Sequence, residues 1–432
     1  MNKFDSSAYL SSLNIDVMRM GLGAITELLL QLGNPRNSYK TILIAGTNGK
    51  GSTAAMIASI LHSSGYKVGL YTSPHLIDVR ERIVINGEKI PWKAFNQIIA
   101  DVKDKMKQPL TYFEFLTAVA FVYFQRQQVD IAVLEVGLGG RLDATNVCQP
   151  LVSVITNIAF DHTAYLGNSL EAIAREKAGI IKQNGACITA VKQKSVLKII
   201  KNICLRRKAK LYCLGSDIKI KRQRDGFFTY QGLYRNLYNL TIPLRGEHQL
   251  SNAALALAAI EFSEKTGFKF NDAAIHTGLK NTHWEARLEI LQNNPLFLID
   301  GAHNPAGINV LCQALKNIFL YRRLILIFGA LDDKDYKRML KKIVPLAPKI
   351  ILTKLQTKRA APVDDMWKIV AKMGYSAIVT EDVDQAIGLA QTIAGEKDLI
   401  CATGSFYLVG EVKRAFSEIV SYDRNNLQSR VC

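Results

Sequence analysis

The stretch Thr41–Thr53, which reads TILIAGTNGKGST, decides the fold of the first part of the chain. Its apolar beginning, Thr41–Ile44, predicts a short buried strand, and a glycine-rich run follows directly. Apolar residues then recur at helical spacing, which predicts a helix over Ser52–His62. A strand, a glycine-rich loop and a helix in this order typically cradle phosphate, because the loop N–H groups and the helix N-terminus both present positive charge.

Lys50 is the loop residue that we expect to contact the β- and γ-phosphates of a nucleotide. Ser52, or the nearby Thr53, is then left to face Mg²⁺. The spacing departs from the usual GxxxxGK[ST] pattern, because Gly51 separates Lys50 from Ser52. An accidental turn is the alternative interpretation, but the strand before the loop and the helix after it favour phosphate binding.

The rest of the chain alternates between short β-rich runs and helical patterns, which predicts parallel strands joined by helical crossovers. We therefore expect an α/β protein of two doubly wound domains joined near Gln292–Pro295. The first, over residues 1–291, would be a P-loop ATPase domain, and the second, over residues 296–432, a smaller Rossmann-like domain. The predicted strands are Thr41–Ile44, Val68–Tyr71, Ile131–Val136, Val152–Thr156, Leu296–Ile299, Leu324–Phe328, Ile350–Thr353, Ala377–Val379 and Leu399–Cys401.

The composition is that of a globular protein of more than one domain. The chain has 432 residues and a mass of 48.0 kDa, with 48% hydrophobic and 21% charged residues, which excludes a single small module and a disordered chain. A formal net charge of +18, from 55 basic and 37 acidic residues, favours polyanionic partners without choosing among them. The seven cysteines include no CxxC pair, so we expect buried or idle thiols rather than disulfides or a zinc ribbon.

Two features of the sequence bear on membranes and export. The longest uncharged apolar stretches, near Leu116–Phe124 and Ala253–Ile260, are well short of the ~20 residues that a membrane-spanning helix needs. The beginning, MNKFDSSAYL, lacks the continuous apolar region of a signal peptide. We therefore expect a cytoplasmic protein with no membrane span.

The segment Cys187–Arg224 differs in composition from the rest, with twelve basic residues and a single acid, Asp217. A groove for nucleic acid is one interpretation. Such grooves also use aromatic residues for stacking, and this segment offers only Tyr212. A solvated basic face is therefore favoured.

Polar residues also follow two later predicted strands. Glu135 lies near the end of an apolar strand and precedes the glycine-rich run Gly137–Gly140, where its carboxylate would reach a magnesium ion bound to nucleotide phosphates. A pair with Arg141 is an equal alternative for this acid. The next strand ends at Asn157, with Asp161-His162 shortly after. Because the carboxyl ends of parallel strands meet at one edge of a sheet, these groups together with the loop predict a ligand site there.

These motifs, with five others, resemble folylpolyglutamate synthase and the bacterial dihydrofolate synthase, which belong to the Mur ligase superfamily. The resemblance runs in order from about residue 20 to residue 415 and so covers nearly the whole chain. The residues that carry it are Gly46–Ser52 (GTNGKGS), Thr72–Leu76 (TSPHL), Glu135–Asn146 (EVGLGGRLDATN), Asp161-His162, Glu176–Ile180 (EKAGI), Gly246–Gln249 (GEHQ), Asp300–Pro305 (DGAHNP) and Gly404–Glu411 (GSFYLVGE).

The resemblance implies an ATP-dependent amide ligase that joins L-glutamate to dihydropteroate, to folate or to both, through an acyl phosphate. The first domain would then be of the Mur ligase central-domain type, in a monomer with small-molecule substrates and no nucleic-acid partner. Two alternatives remain. A Mur ligase for a cell-wall precursor would share the loop and EKAGI, but TSPHL and the GTNGKGS form of the loop favour folate. A nucleic-acid-binding P-loop ATPase would leave DGAHNP and EKAGI unexplained.

The resemblance also implies roles for individual residues. The catalytic residues would be Lys50, Lys177 and His303. Lys177 would carry a carbamate, and an unmodified lysine that contacts phosphate is the alternative. The metal, Mg²⁺ with Mn²⁺ as a substitute, would be bound by Ser73, Glu135 and His162. The folate and glutamate side would use Thr72, Pro74, His75, Asp300 and His303. The nucleotide would contact Gly46, Thr47, Asn48, Gly49, Lys50, Gly51, Ser52, Thr53, His248, Gln249, Asn252, Arg287 and Asp300.

The sequence departs from the family pattern at two places. Trp284–Arg287 reads WEAR where WPGR is usual, so we expect the turn that presents Arg287 to differ. Phe406 replaces the usual leucine, a change that we expect to be minor. A further stretch, Thr111–Thr117, resembles a pterin-side loop of the family, and its aromatic residues are predicted either to stack on a flat heterocycle or to pack in the core.

Overall fold

Three β-sheets organise the chain in the computed structural model, which describes residues 6–13 and 21–428. The strands are β1 (Lys40–Ala45), β2 (Val68–Tyr71), β3 (Ile83–Ile85), β4 (Glu88–Lys89), β5 (Ile131–Glu135), β6 (Val152–Ile155), β7 (Ala186–Thr189), β8 (Lys210–Cys213), β9 (Lys219–Arg222), β10 (Phe228–Gln231), β11 (Asn236–Leu240), β12 (Glu289–Asn293), β13 (Leu296–Asp300), β14 (Leu324–Phe328), β15 (Lys349–Thr353), β16 (Ile378–Thr380) and β17 (Leu399–Thr403). The α-helices are α1 (Ser6–Ser12), α2 (Gly23–Gln31), α3 (Lys50–Ser63), α4 (Trp92–Lys105), α5 (Tyr112–Arg126), α6 (Thr163–Leu166), α7 (Leu170–Ala178), α8 (Lys194–Arg206), α9 (Glu247–Glu264), α10 (Asp272–Lys280), α11 (Pro305–Asn317), α12 (Tyr336–Ile343), α13 (Val363–Lys372), α14 (Val383–Ile393) and α15 (Phe406–Gln428).

The first sheet has eight strands in the order β4-β3-β2-β5-β1-β6-β7-β8. All neighbours from β2 to β8 pair in parallel, whereas β3 and β4 add an antiparallel edge. The central strand β1 is apolar on both faces because helices cover both. Ile42 and Ile44 belong to one core, and Leu43 and Ala45 belong to the other. This alternation explains why the run Thr41–Ile44 is continuously apolar.

The second large sheet has six strands in the order β12-β13-β17-β14-β15-β16, all parallel except β12. Between the two large sheets, the chain forms a small antiparallel sheet, β11-β10-β9. Its apolar residues Phe228, Tyr230 and Leu237 pack in the same core as helix α9. The sequence analysis missed this small sheet, because its strands are short and one of them, Lys219–Arg222, is mostly charged.

Each strand predicted from the sequence is present, with ends that shift by at most about two residues, and the doubly wound α/β class is confirmed. The predicted junction near Gln292–Pro295 lies in the turn between β12 and β13, which pair with each other. The second large sheet therefore begins at Glu289. We propose that the boundary lies between Thr282 and Glu289, and we call the parts before and after it the N-terminal and C-terminal units.

The six cysteines in residues 6–13 and 21–428 are free and buried, as expected, and Cys432 lies outside those residues. No helix within the described ranges is both long and apolar enough to cross a membrane. The two large sheets point the carboxyl ends of their strands towards one shared cavity, since the segments that follow β1, β5 and β6 line it together with those that follow β13, β14 and β17. In open α/β sheets this end is where ligands bind.

Candidate active site

A cavity of about 720 Å³ lies between the two units and gathers most of the residues that the sequence singled out. It is lined by the glycine-rich loop on one side and by Asp300–His303 on the other. Four of the predicted site residues do not reach its surface. These four are Thr53, Thr72, His75 and Gln249.

The glycine-rich loop is held in place by the strand next to it. Thr156 Oγ1 donates to the Asn48 carbonyl at 2.6 Å, and Asn157 Oδ1 accepts from the Asn48 N–H at 3.0 Å. Gly49 precedes helix α3 with a φ of 83°, and a Cβ there would lie 2.5 Å from the Asn252 side chain. Only glycine fits both restrictions.

Helix α3 starts at Lys50, so its first N–H groups face the cavity and provide the partial positive charge expected of a phosphate cradle. Ser52 lines the cavity, whereas Thr53 is fully buried. One further residue along a helix is a turn of about 100°, which points Thr53 at the core. Of the two candidates for the magnesium-facing hydroxyl, only Ser52 therefore has access to the cavity.

Glu135 ends strand β5 and is buried beside this loop. Its Oε2 accepts a hydrogen bond from the Ser73 N–H at 3.1 Å, and its Oε1 lies 3.8 Å from Lys50 Nζ. Burial raises the pKa of Glu135, and the charge of Lys50 opposes this rise. Arg141 instead forms an ion pair with Glu176 at 2.9 Å, so the alternative pair of Glu135 with Arg141 does not form.

Lys177 lies in the last turn of helix α7 and is also buried at the cavity. Its Nζ donates to the Gly46 carbonyl at 2.8 Å, which ties α7 to the start of the loop. Burial and the nearby charge of Lys50 lower the pKa of Lys177 to about 7. A buried lysine with this pKa is partly a neutral amine at physiological pH.

The C-terminal unit contributes a second set of polar residues. The two carboxylate oxygens of Asp300 accept hydrogen bonds from the Leu288 and Ala302 N–H groups, at 3.0 and 2.9 Å. Burial raises the pKa of Asp300 against the opposing charge of Arg287. His303 Nδ1 lies 2.9 Å from the Gly301 carbonyl. These contacts fix the beginning of the DGAHNP motif directly after strand β13.

Asp161 joins the two units, because it accepts hydrogen bonds from Asn304 at 3.0 Å and from Lys334 at 2.8 Å. His303 Nε2 lies 3.5 Å from the same carboxylate. Burial alone would raise the pKa of Asp161, but the hydrogen bond from His303 and the charges of His303 and Lys334 hold it well below its usual value. Lys334 Nζ also lies 2.9 Å from His162 Nε2.

Lys334 is a site residue that the sequence analysis missed. It lies in the run Asp332–Asp335, which resembles an ordinary solvated loop, yet its side chain is only 6% exposed. The signal that would have found it is its position a few residues after strand β14, since polar groups at this end of a parallel strand reach the ligand cleft.

Arg287 follows a turn residue with a left-handed backbone conformation. Ala286 stands where the family usually has glycine, and it adopts a φ of 57°, a left-handed conformation that glycine favours. The Arg287 guanidinium lies 5.0 Å from the centre of the Phe406 ring. The His303 ring lies 5.1 Å from the same ring. Phe406, expected to be a minor change, therefore packs against two predicted site residues.

The helix that begins at Tyr112 explains the stretch Thr111–Thr117. Thr111 caps this helix, with its side chain accepting from the Glu114 N–H. Tyr112 and Phe113 line the cavity, whereas Phe115 is fully buried and packs edge-on against Tyr9. Two of the three aromatic residues are therefore available to a ligand, and the third belongs to the core.

Two residues of helix α9 that are predicted to contact the nucleotide form a hydrogen-bonded chain that reaches the loop. Asn252 Nδ2 donates to Gln249 Oε1 at 2.9 Å, and Gln249 Nε2 lies 3.4 Å from Ser52 Oγ. His248 lines the cavity, and burial together with the charge of Arg287 lowers its pKa to about 4. Gln249 thus contacts Ser52 from the protein interior and not from the cavity surface.

Comparison with known proteins agrees with this site. Residues 44–260 match the Mur ligase middle domain, and residues 286–406 match the Mur ligase glutamate ligase domain. The chain is 35% identical over 416 residues to the dihydrofolate synthase/folylpolyglutamate synthase of Bacillus subtilis, which covers 92% of this chain and 95% of that protein. This chain belongs to the dihydrofolate synthase/folylpolyglutamate synthase family.

Solved structures of the dihydrofolate synthase/folylpolyglutamate synthase family superpose on nearly the whole chain. Escherichia coli FolC in complex with DHPP and ADP matches with a TM-score of 0.88 and 31% identity, over 96% of this chain and 97% of that one. The bifunctional enzyme of Yersinia pestis with AMPPNP and a Mn ion matches with a TM-score of 0.87 and 31% identity, over 95% of this chain and 97% of that one.

The residues present also fit a divalent metal of the kind that such family structures hold. The Glu135 carboxylate and the Ser73 hydroxyl offer the oxygen atoms that Mg²⁺ prefers. In residues 6–13 and 21–428, no group of three or more His, Cys, Asp and Glu is arranged as a metal site. A site with few protein ligands, such as Glu135 with Ser73, suits Mg²⁺, because this ion usually keeps several waters and binds substrate phosphates beside one or two carboxylates.

Proposed function

We propose that this protein performs the reaction of its family and couples L-glutamate to dihydropteroate and to reduced folates at the expense of ATP. The observation that carries the proposal is the cavity, because it places the loop with Lys50, the acid Glu135 and the motif Asp300–His303 around one space between two units. The names of the relatives and the ADP and DHPP ligands of the solved structures support it.

The chemistry that this site has to perform is the activation of a carboxylate, which does not react with an amine at neutral pH. Transfer of the γ-phosphoryl group from ATP to the carboxylate oxygen yields ADP and an acyl phosphate. The amine of glutamate then attacks the acyl carbon, and inorganic phosphate leaves as the amide bond forms. Lys50 and the N–H groups of the loop would neutralise charge on the transferring phosphoryl group.

The C-terminal unit would bind the remaining reactants. Arg287 lines the cavity with its guanidinium and would contact nucleotide phosphates, while Asp300 and His303 would contact the nucleotide and the incoming glutamate. His303 is well placed to contact the incoming glutamate. Its ring lies where the two units meet, between the Gly301 carbonyl and Asp161. His162 would have to exchange Lys334 for a metal before it could serve as a ligand.

A divalent ion, Mg²⁺ or Mn²⁺, would be held by Ser73, Glu135 and His162 and would neutralise phosphate charge when bound. Lys177 would carry a carbamate. Its lowered pKa of about 7 supports this, because the neutral amine is the form that reacts with CO₂. The lysine ammonium loses one proton to give the neutral amine, the amine nitrogen bonds to the carbon of CO₂ and loses a second proton, and the cation is thereby replaced by an anion inside the cavity.

The purified protein should release phosphate from ATP only when L-glutamate and a pteroate or folate acceptor are both present. The acceptor should gain the mass of one glutamyl residue per phosphate released. Phosphate release stimulated by DNA or RNA alone, or by a peptidoglycan precursor in place of folate, would contradict the proposal.

The basic segment Cys187–Arg224 offers no argument for nucleic acid here, since only its residues Ala190 and Gln193 line the cavity. A monomeric, cytoplasmic enzyme remains the prediction.

A further inference from the structure

Arg82 is a buried arginine at the cavity that the reaction described above does not use. The residue is only 8% exposed, and it lines the same cavity as Lys50 and Glu135. Its Nε donates to His75 Nδ1 at 2.9 Å. Within residues 6–13 and 21–428, no carboxylate forms an ion pair with Arg82. Arginine is rarely buried without such a partner. We therefore expect an anionic group of a ligand to bind beside the Arg82 guanidinium.

The position of Arg82 limits what this anion can be. Strands β2 and β3 pair in antiparallel fashion, and the Thr72 N–H donates to the Arg82 carbonyl at 3.1 Å. Arg82 therefore lies across from Thr72, next to Ser73, whose N–H contacts Glu135. On its other side, the guanidinium lies 5.5 Å from the centre of the Tyr112 ring. Arg82 thus lies between the phosphoryl-transfer residues and the aromatic part of the cavity.

The two acceptors of the proposed reaction, dihydropteroate and a folate that carries glutamate, differ in the number of carboxylates that they would bring near Arg82. Dihydropteroate ends in one carboxylate, and that group is the one that reacts. A folate that already carries glutamate has the reacting γ-carboxylate and also an α-carboxylate, which takes no part in the chemistry. When the reacting group lies at Lys50, the second carboxylate lies a few bonds away, on the side from which the acceptor enters.

We propose that Arg82 binds the non-reacting α-carboxylate of a glutamylated folate and so distinguishes the folate acceptor from dihydropteroate. The planar guanidinium matches a carboxylate with two parallel hydrogen bonds, and a low-dielectric site strengthens them. The contact with His75 Nδ1 orients the guanidinium before the substrate arrives. This inference rests on the proposed function.

The test compares two acceptors, dihydropteroate and tetrahydropteroyl monoglutamate, with wild type, Arg82→Ala and Arg82→Lys. Arg82→Ala should lose about 30-fold more kcat/KM with the monoglutamate than with dihydropteroate, mainly through KM. Arg82→Lys should recover part of this loss, because it keeps the charge but not the paired geometry. Arg80→Ala is the matched control, since Arg80 lies in the same short helix but pairs with Asp78 and stacks on Trp92.

A second arm changes the acceptor, and its first comparison uses the wild-type enzyme alone. A monoglutamate acceptor whose α-carboxylate is replaced by a carboxamide should show the same loss with wild type and little further loss with Arg82→Ala. Equal losses on both acceptors, or wild-type enzyme that accepts the carboxamide as well as the acid, would overturn the role of Arg82. Failure of the proposed function would appear differently, as wild-type enzyme that adds glutamate to neither acceptor.

Discussion

Two buried lysines line the cavity from opposite sides, and their surroundings differ sharply. Lys177 belongs to the N-terminal unit and donates to a backbone carbonyl, that of Gly46. Lys334 belongs to the C-terminal unit and contacts the carboxylate of Asp161 and the ring of His162. Both side chains are almost completely withdrawn from water.

This difference in surroundings explains why two lysines at the same cavity have different roles. Burial destabilises the charged form of a lysine, and only an anion nearby restores it. Among the residues that the structure describes, no carboxylate forms an ion pair with Lys177, and burial together with the charge of Lys50 lowers its pKa to about 7. Lys334 is held by Asp161, whose own pKa lies well below its usual value, and so acts as an ionic contact between the units. We therefore expect changes at the loop and Lys177 to act on turnover or on the titration of the site, and changes at Lys334 to act on the association of the units.

The largest effect is expected from Lys50→Ala on the N-terminal side. Removing this cation from the loop should lower kcat by about 10³-fold, which is ~4 kcal/mol of barrier, because it stabilises charge on the phosphoryl group. Steady-state phosphate release with both substrates measures the loss. We expect the unfolding transition to stay close to that of wild type, since the contacts of Lys50 with Glu135 and Thr47 both lie within the N-terminal unit.

Lys93→Ala is the control for that change, because Lys93 is an exposed residue of helix α4. It should leave kcat within about twofold. Activity of Lys50→Ala within tenfold of wild type would contradict the assignment of phosphate binding to the loop.

The second largest effect is expected from Lys334→Met on the C-terminal side. The change leaves Asp161 buried with one cation fewer, which should cost about 3 kcal/mol of unfolding free energy. Because the ion pair joins the two units, we expect calorimetry to show two unfolding transitions instead of one. Lys368→Met removes an exposed ion pair within helix α13 and should change stability by less than about 0.5 kcal/mol. A single, unshifted transition for Lys334→Met would show that the contact does not couple the units.

Site residues that come directly at the end of an apolar strand were predictable from sequence, whereas those farther from a strand end were not. Glu135 and the loop each follow a continuous apolar strand, so the rule that ligands bind at strand ends was enough to place them together. Lys334 comes only a few residues after strand β14, in a charged loop, and Arg82 comes before the three-residue strand β3. Their burial is created by packing between distant segments, which local sequence patterns do not encode.

The small sheet and strand β12 were missed for a related reason. Strand β9 is mostly charged and becomes a strand only because β10 pairs with it. Glu289–Asn293 belongs to the second sheet only through its pairing with β13. The resemblance to the family, by contrast, named Lys177 and His303, for which residue patterns alone gave no argument.

The smallest effect concerns Lys177 and depends on pH. The folded-state pKa of about 7 lies below the ordinary lysine value of 10.5, so between these two values the unfolded chain binds more protons and stability rises with pH. Below pH 7 the folded protein must bear a buried charge. Lys177→Met removes this cost, although it also gives up the hydrogen bond to Gly46, so it should be about 2 kcal/mol more stable than wild type at pH 6.

Urea unfolding of wild type and Lys177→Met at pH 6 and pH 9, in buffer free of CO₂, measures this difference. The advantage of the variant should shrink at pH 9, because the folded wild type then carries a neutral amine. Adding bicarbonate at pH 8 should stabilise wild type but not the variant, since a carbamate forms only on the folded protein's accessible amine. An advantage that stays constant with pH would show that Lys177 remains charged in the folded protein, and the contrast with Lys334 would then lose its physical basis.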